Sequence, residues 1–237
     1  MRLDELMVTR GLAMGQNEAR ALIMAGQVSG GGRLLDKPGL VVGNNLELHV
    51  KPQARYVSRA GDKLASVAVA LELDFAGKTV LDVGSSTGGF TDYALQNRAA
   101  KVFCVDVGTG QLAYKLRQDA RVVVMERTDI RIAKLPEQVD MAVMDVSFIS
   151  LREVLEATAA LVRTGGLIVA MVKPQFEASK AVADRYHGVI PVGPERDEIL
   201  AELREWVSER FEILDEADSG VSGSEGNVER FWLLTAK

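Results

Sequence analysis

The sequence predicts an α/β chain: a doubly wound, mostly parallel seven-stranded sheet, preceded by a small α+β module. Three observations carry this. Short apolar runs alternate with amphipathic helical stretches from residue 59 onward, the pattern of a parallel sheet covered on both faces. One run, Lys78-Thr-Val-Leu-Asp-Val-Gly-Ser-Ser-Thr-Gly-Gly-Phe-Thr91, leaves a buried strand through an acid, turns through three glycines and opens a helix. The first fifty residues follow a different plan and carry a different charge. Residues 1–63 are net +3 and the rest net −8, within a total of −5. A basic head on an acidic body points to a polyanionic partner for the head.

In the head (1–50), Leu3, Leu6 and Met7 fall at helical spacing and Gly11 ends that helix. Ala19, Leu22 and Ile23 repeat the pattern before Gly26. Strands are expected around Val28, over Arg33–Leu35 and over Leu46–Val50, separated by glycine-rich turns. Residues 51–58 show no helical pattern and read as a linker. In the body (59–237), strands are expected at Thr79–Val83, Lys101–Val105, Val122–Met125, Met141–Asp145, Leu167–Val172, Phe211–Asp215 and Phe231–Thr235. Helices are expected at Asp62–Leu73, Gly89–Asn97, Gln111–Arg117, Leu151–Val162 and Glu195–Arg210. No helix separates the last two strands, which allows an antiparallel pair at one edge. The polar stretch Gln175–Val192 reads as a lid, an RNA-contact loop or a mobile surface loop.

Composition narrows the class. Apolar residues make up 47% of the chain, enough for a sizeable core. A single cysteine, Cys104, forbids an internal disulfide and fits a reducing compartment. No apolar run approaches the roughly 20 residues of a membrane helix, and the start Met-Arg-Leu-Asp-Glu does not read as a secretion leader. The expected location is cytoplasmic, with no membrane partner. His49 and His187 are isolated, so no metal site is expected.

The glycine loop has the spacing Gly84-x-x-x-Gly88-Gly89. It is neither a dinucleotide fingerprint nor a P-loop. Asp82 before it, with Ser85, Ser86, Gly89 and Phe90 around the turn, suits S-adenosylmethionine, whose sulfonium and ammonium favour nearby carboxylates. Asp106 ends the second strand, where an acid can accept both ribose hydroxyls. Asp129 follows the third and could accept from the adenine amino group. The plain alternative for both acids is helix capping. Two further strand ends are unusual: Asp145 closes the fourth strand and Lys173 the fifth. A lysine straight after a buried strand is costly unless paired, and Asp145 is its natural partner. Lys63 is a candidate second cation and Glu229 a candidate orienting carboxylate. Rival methylations fit less well. Cytosine C5 chemistry needs a cysteine nucleophile, and Cys104 lies inside a strand. Amino methylation uses an Asp/Asn-Pro-Pro-aromatic loop, and Asp145-Val-Ser-Phe148 has no proline.

In the head, Arg2-Leu-Asp4, Arg10-Gly11, Glu18-Ala19-Arg20, Ile23, Gly26-Gln-Val28 and Lys37-Pro-Gly39 resemble the S4 family of RNA-binding modules. That resemblance implies Arg2, Arg10, Arg20 and Arg33 facing phosphates. Gly15-Gln16 stands where the family has a Ser-Arg pair. In the body, Ser58-Arg-Ala-Gly-Asp-Lys-Leu64, the glycine loop through Asp92, Asp145-Val-Ser-Phe-Ile-Ser150, Lys173-Pro-Gln-Phe-Glu177 and Gly226-Asn-Val-Glu229 resemble the FtsJ-like RNA ribose 2′-O-methyltransferases; with the head, the whole chain resembles the TlyA family. The resemblance implies a catalytic tetrad of Lys63, Asp145, Lys173 and Glu229. It implies a cofactor pocket including Gly84, Ser86, Gly88, Phe90, Asp106, Asp129 and Asp145. It also implies cytidine ribose in ribosomal RNA or a ribosomal subunit as substrate. Arg59 joins the RNA-facing set. Two other functions are weighed: a non-catalytic RNA-binding factor that keeps the cofactor pocket, and a membrane-active protein, since family members also carry the name haemolysin.

Overall fold

A computed structural model describes residues 1–51, 54–223 and 226–237 of the chain. It divides into two compact units, Met1–Ala54 and Arg55–Lys237. The division falls inside the segment read as a linker, so that reading is corrected. Tyr56 is buried in the core of the second unit, and Ser58 precedes its first helix. Residues 55–58 therefore belong to the body. Positions 52 and 53 of the linker lie outside the described residues.

The first unit contains α1 (Leu3–Thr9), α2 (Gln16–Met24) and the strands β1 (Val28–Gly30), β2 (Arg33–Leu34) and β3 (Leu48–Val50). The strands form an antiparallel sheet in the order β2-β1-β3. The apolar face of each helix closes on it: Leu3, Leu6 and Met7 from α1, and Ala19, Leu22 and Ile23 from α2, meet Val28, Leu35 and Leu48. Gly11 and Gly26 follow the two helices at φ +68° and +67°, the left-handed turn that ends a helix most cheaply with glycine.

The second unit begins with α3 (Arg59–Ala68) and continues as β4 (Thr79–Val83), α4 (Gly89–Gln96), β5 (Lys101–Val105), α5 (Tyr114–Arg117) and β6 (Val122–Met125). A 3-10 turn at Ile130–Ile132 leads to β7 (Val139–Met144), α6 (Leu151–Leu161) and β8 (Val162–Val172). The short helices α7 (Pro174–Glu177) and α8 (Lys180–Arg185) precede α9 (Pro194–Arg210), β9 (Phe211–Asp218) and β10 (Arg230–Ala236). The sheet order is β6-β5-β4-β7-β8-β10-β9, with β10 antiparallel to both neighbours and the other pairs parallel.

Period-two geometry splits the core into two layers. Val80, Val102, Met141, Val169 and Phe231 face one side, while Leu81, Phe103, Ala142, Ala170 and Trp232 face the other. Both faces of each central strand are covered, which explains the unbroken apolar runs in the sequence. The reversal of strand order lies between β4 and β7. Their carboxyl ends open the crevice where ligands bind in such sheets.

Candidate functional site

The crevice is shaped by the turn after β4. Gly84 sits at φ +78°, and a Cβ there would come within 2.8 Å of the Asp145 carbonyl oxygen. Gly88, at φ +92°, would drive a Cβ into Leu112 and Leu116; at Gly89 a Cβ would overlap the Ser58 hydroxyl. Backbone crowding requires glycine at positions 84 and 89, and the left-handed φ favours it at 88. Two adjoining spaces result. A cleft of about 560 Å³ is lined by Gly84, Ser86, Asp106, Val107, Asp129, Arg131 and the run Asp145–Ile149. A smaller hollow of about 190 Å³ is lined by Ser58, Ala60, Asp82, Ser85, Gly89, Phe90 and Lys173, and shares Gly84, Ser86, Asp145 and Ser147 with the cleft.

The three acids read as cofactor ligands have different surroundings. Asp82 is buried. Its Oδ2 accepts the Thr91 amide at 3.0 Å and the Thr91 hydroxyl at 2.6 Å, whereas Oδ1 has no partner among the described residues. Burial pushes its carboxyl up to about 7, against the opposing pull of the Thr91 hydrogen bonds. Asp106 accepts the Ser86 amide on one oxygen and the Gly108 amide on the other, each at 2.7 Å, and so braces the glycine turn. Asp129 takes the plain alternative: it caps the 3-10 turn through the Arg131 amide at 2.9 Å and pairs with the Arg131 guanidinium, which holds it below the usual carboxylate range. It still lines the cleft. An orphaned buried carboxylate oxygen beside a glycine cradle fits a ligand with a cationic group, as S-adenosylmethionine has.

The four charged residues assemble as two ion pairs. Lys173 Nζ lies 2.5 Å from Asp145 Oδ1, at angles outside those of a hydrogen bond, and donates to Ser147 Oγ at 2.7 Å. Lys63 Nζ donates to Glu229 Oε1 at 2.7 Å, and Glu229 is 3% exposed, so the pair is nearly dry. Strand register links the pairs: Arg230 stands opposite Val172, making Glu229 and Lys173 the next residues on neighbouring strands. The Lys173–Asp145 pair lines the hollow; Lys63 and Glu229 line neither space.

Around this centre the structure adds residues the sequence reading passed over. Phe148, at φ +63°, is 91% exposed on the rim of the cleft. Its ring centroid lies 5.1 Å from that of Phe176, above which Lys173 Nζ sits at 5.8 Å. An aromatic in a strand-end loop of an otherwise small-residue motif was the available signal. Glu177 ties the two loops together by accepting from Ser150 Oγ at 2.6 Å and the Leu151 amide at 2.8 Å. The stretch 175–192 is not one open loop. It holds α7 and α8 and is anchored by Asn227, which accepts from the Ile190 amide at 3.0 Å and donates to the Gly188 carbonyl at 2.9 Å. Cys104 is buried with its thiol pushed far up by desolvation, which removes it as a nucleophile.

In the head, Arg2 and Arg20 both grip Asp4, at 3.0 and 2.9 Å, and each remains nearly half exposed. Arg33 is exposed on β2. The exposed Arg10 donates through its guanidinium to the carbonyls of Asn44 and Leu46. In the body, Arg59 donates to the Ser222 carbonyl. Among the described residues no cluster of metal-ligating side chains occurs, and no helix is long and apolar enough to cross a membrane.

Comparison with known proteins identifies a family and several relatives. The family model described as FtsJ-like methyltransferase matches residues 56–237. The protein YqxC of Bacillus subtilis is 42% identical, over 96% of this chain and 83% of its own length. A Mycobacterium tuberculosis protein named 16S/23S rRNA (cytidine-2′-O)-methyltransferase TlyA is 39% identical, over 99% of this chain and 90% of its own length. A solved structure of a hemolysin-named protein of Streptococcus thermophilus is 37% identical with a TM-score of 0.74, covering 100% of this chain and 88% of that one.

Proposed function

This chain belongs to the FtsJ-like methyltransferase family, and on that premise we propose that it methylates a ribose 2′-hydroxyl of ribosomal RNA, at a cytidine, with S-adenosylmethionine as donor. The observation that carries this reading is Lys173, held against Asp145 and Ser147 in the hollow that adjoins the glycine cleft. S-adenosylmethionine supplies an electrophilic methyl group when bound. Asp82, Gly84, Ser85, Ser86, Gly88, Gly89 and Phe90 form its cradle, with Asp106 and Asp129 along the wider cleft.

Lys173 Nζ accepts the 2′-hydroxyl proton through its lone pair, and holds the freed oxygen in line for the methyl group. Asp145 and Ser147 fix the direction of its amino group, and Glu229, beside it just before β10, supplies a second carboxylate that Lys63 keeps oriented. The exposed Phe148, braced by Phe176, offers a stacking face for the target base. The absence of a usable thiol and of a proline-bearing base loop supports a sugar oxygen over a base atom. The head is read as an S4-like module in which Arg2, Arg20 and Arg33 meet RNA phosphates; Arg59 does so from the body. The relative named as a 16S/23S rRNA methyltransferase supports a ribosomal substrate and a cytoplasmic setting.

Lys173→Ala is the direct test. Incorporation of labelled methyl into ribosomal RNA should fall by about a thousandfold, while affinity for S-adenosylhomocysteine stays within about threefold of wild type. Transfer at a near-normal rate would remove Lys173 from the reaction.

A further inference from the structure

Asp145 and Lys173 stand at the roots of two short segments that leave the sheet side by side. β7 ends at Met144 and β8 at Val172, and the strands run parallel with Met144 opposite Ala170. Counting on three residues along each chain brings Ser147 level with Lys173, and these two are hydrogen-bonded at 2.7 Å. The segments are joined a second time at their far ends. Glu177 accepts from Ser150 Oγ at 2.6 Å and from the Leu151 amide at 2.8 Å. The two joints close a ring, with Lys173 and its partners at the base and Glu177 at the top.

Helix capping alone is a poor account of Glu177. Ser150 already caps α6 by accepting the Arg152 amide at 3.1 Å. A buried carboxylate is a costly second cap. The Glu177 side chain is 2% exposed, and its ion-pair partner Arg152 lies 4.0 Å away. Burial pushes the carboxyl above the usual range, the Leu151 and Ser150 hydrogen bonds and Arg152 oppose this, and Glu153 adds to it. What the carboxylate adds is register between segments 26 and 27 residues apart in the chain, which no local cap supplies. The path from Glu177 back to Lys173 is stiff. Pro174 is buried at the first position of α7, where its ring fixes φ. The Phe176 amide bonds the Lys173 carbonyl and the Ala178 amide bonds the Pro174 carbonyl, each at 2.9 Å. One rigid turn therefore carries the position of the carboxylate to the lysine.

We propose that Glu177 is a positioning residue for methyl transfer: by holding Ser150 and Leu151 it keeps the Asp145 segment in register with the Lys173 segment, so that Lys173 stays against Asp145 and Ser147. This rests on the reading of Lys173 as proton acceptor, and goes beyond it by naming the group that fixes where the amine sits.

Methyl transfer to ribosomal RNA by the full chain, with kcat and KM measured separately, tests it. Glu177→Leu removes both acceptor oxygens at similar volume. Its kcat should fall about thirtyfold, the scale of a sub-ångström misplacement, while KM for RNA and for S-adenosylmethionine stays within about threefold. Glu177→Gln keeps an oxygen for the Leu151 amide and offers an N–H to Ser150 Oγ, so its kcat should return to within about threefold of wild type. In a Lys173→Ala background, Glu177→Leu should lower the residual rate by no more than about twofold, because the lysine it acts through is gone. Urea unfolding checks that each variant is folded. Ser150→Ala, which cuts one of the two joints and keeps the Leu151 bond, should give a smaller loss of kcat and stands in if Glu177→Leu does not fold. Three results would each overturn the assignment: a normal kcat in Glu177→Leu (or, where that variant does not fold, in Ser150→Ala), a Glu177→Gln protein as slow as Glu177→Leu, or the full loss repeated without Lys173. No transfer by the wild-type chain, or near-normal transfer by Lys173→Ala, would bring down the reading of Lys173 and this inference together.

Discussion

Asp4 in the head and Asp82 in the body are both buried carboxylates, at 0% and 1% exposure, yet they are opposites electrostatically. Asp4 sits between the guanidinium groups of Arg2 and Arg20, and the Arg2 hydrogen bonds hold its carboxyl well below the usual range. Asp82 has a hydroxyl and an amide on one oxygen, nothing on the other, and no cation in contact, so burial pushes it up to about 7. The first charge is answered within its own unit and serves to hold two arginines half exposed. The second is left open. In the cofactor reading, a ligand answers it.

The contrast predicts opposite pH dependences of stability. With a folded value near 7 against 3.8 for the ordinary carboxyl, Asp82 binds its proton more tightly in the native state. The free chain should therefore lose stability as pH rises from about 4 to 7, by up to about 4 kcal/mol for about three units. Asp145 and Asp106 add to the upward push, and Cys104 stays protonated throughout. Urea unfolding of the wild type and Asp82→Asn across this range checks it. The variant should lack that part of the slope, and parallel curves would mean that Asp82 ionises freely. In the cofactor reading, Asp82→Asn also weakens S-adenosylhomocysteine by about a hundredfold at pH 8, the worth of a charge-assisted hydrogen bond. Wild-type affinity should fall as pH drops below 7 and the variant's should not. A calorimetric pH series that declines equally for both would assign the titration elsewhere.

Much of this contrast was visible in the chain itself, for identifiable reasons. Buried parallel strands are continuous apolar runs, so β4, β5 and β6 have the expected bounds, and a charged residue at a strand end stands out against them. Asp145 and Lys173 were noticed that way, and the structure pairs them. β8 begins at Val162 rather than Leu167 because Thr164-Gly165-Gly166 resembles a turn, although Val162 pairs with Val139. The first body helix spans Arg59–Ala68, earlier than the expected Asp62–Leu73, since Gly61 in its first turn hides the start. Lys63, read as a second cation, pairs with Glu229, 166 residues away. The carbonyl partners of Arg10, on Asn44 and Leu46, are brought to it only by the folded head, so no local spacing announces them. The unpartnered oxygen of Asp82 is a property of a cavity, and no local spacing encodes a cavity.

The smallest effect tests the other side of the comparison. Asp4→Asn keeps the shape of the side chain and removes the charge that Arg2 and Arg20 share. Both arginines are nearly half exposed, so water answers much of what is lost, and the cost should be only about 1–2 kcal/mol in urea unfolding. Because the native carboxyl lies below its ordinary value, that contribution is complete at neutral pH and disappears only as pH falls below about 4. If the head binds ribosomal RNA through these arginines, Asp4→Asn should weaken binding about threefold while the slope of log affinity against log salt is unchanged, because both positive charges remain. Arg20→Gln should instead lower that slope by about one. An Asp4→Asn protein with wild-type stability and RNA affinity would show that the head's carboxylate positions nothing.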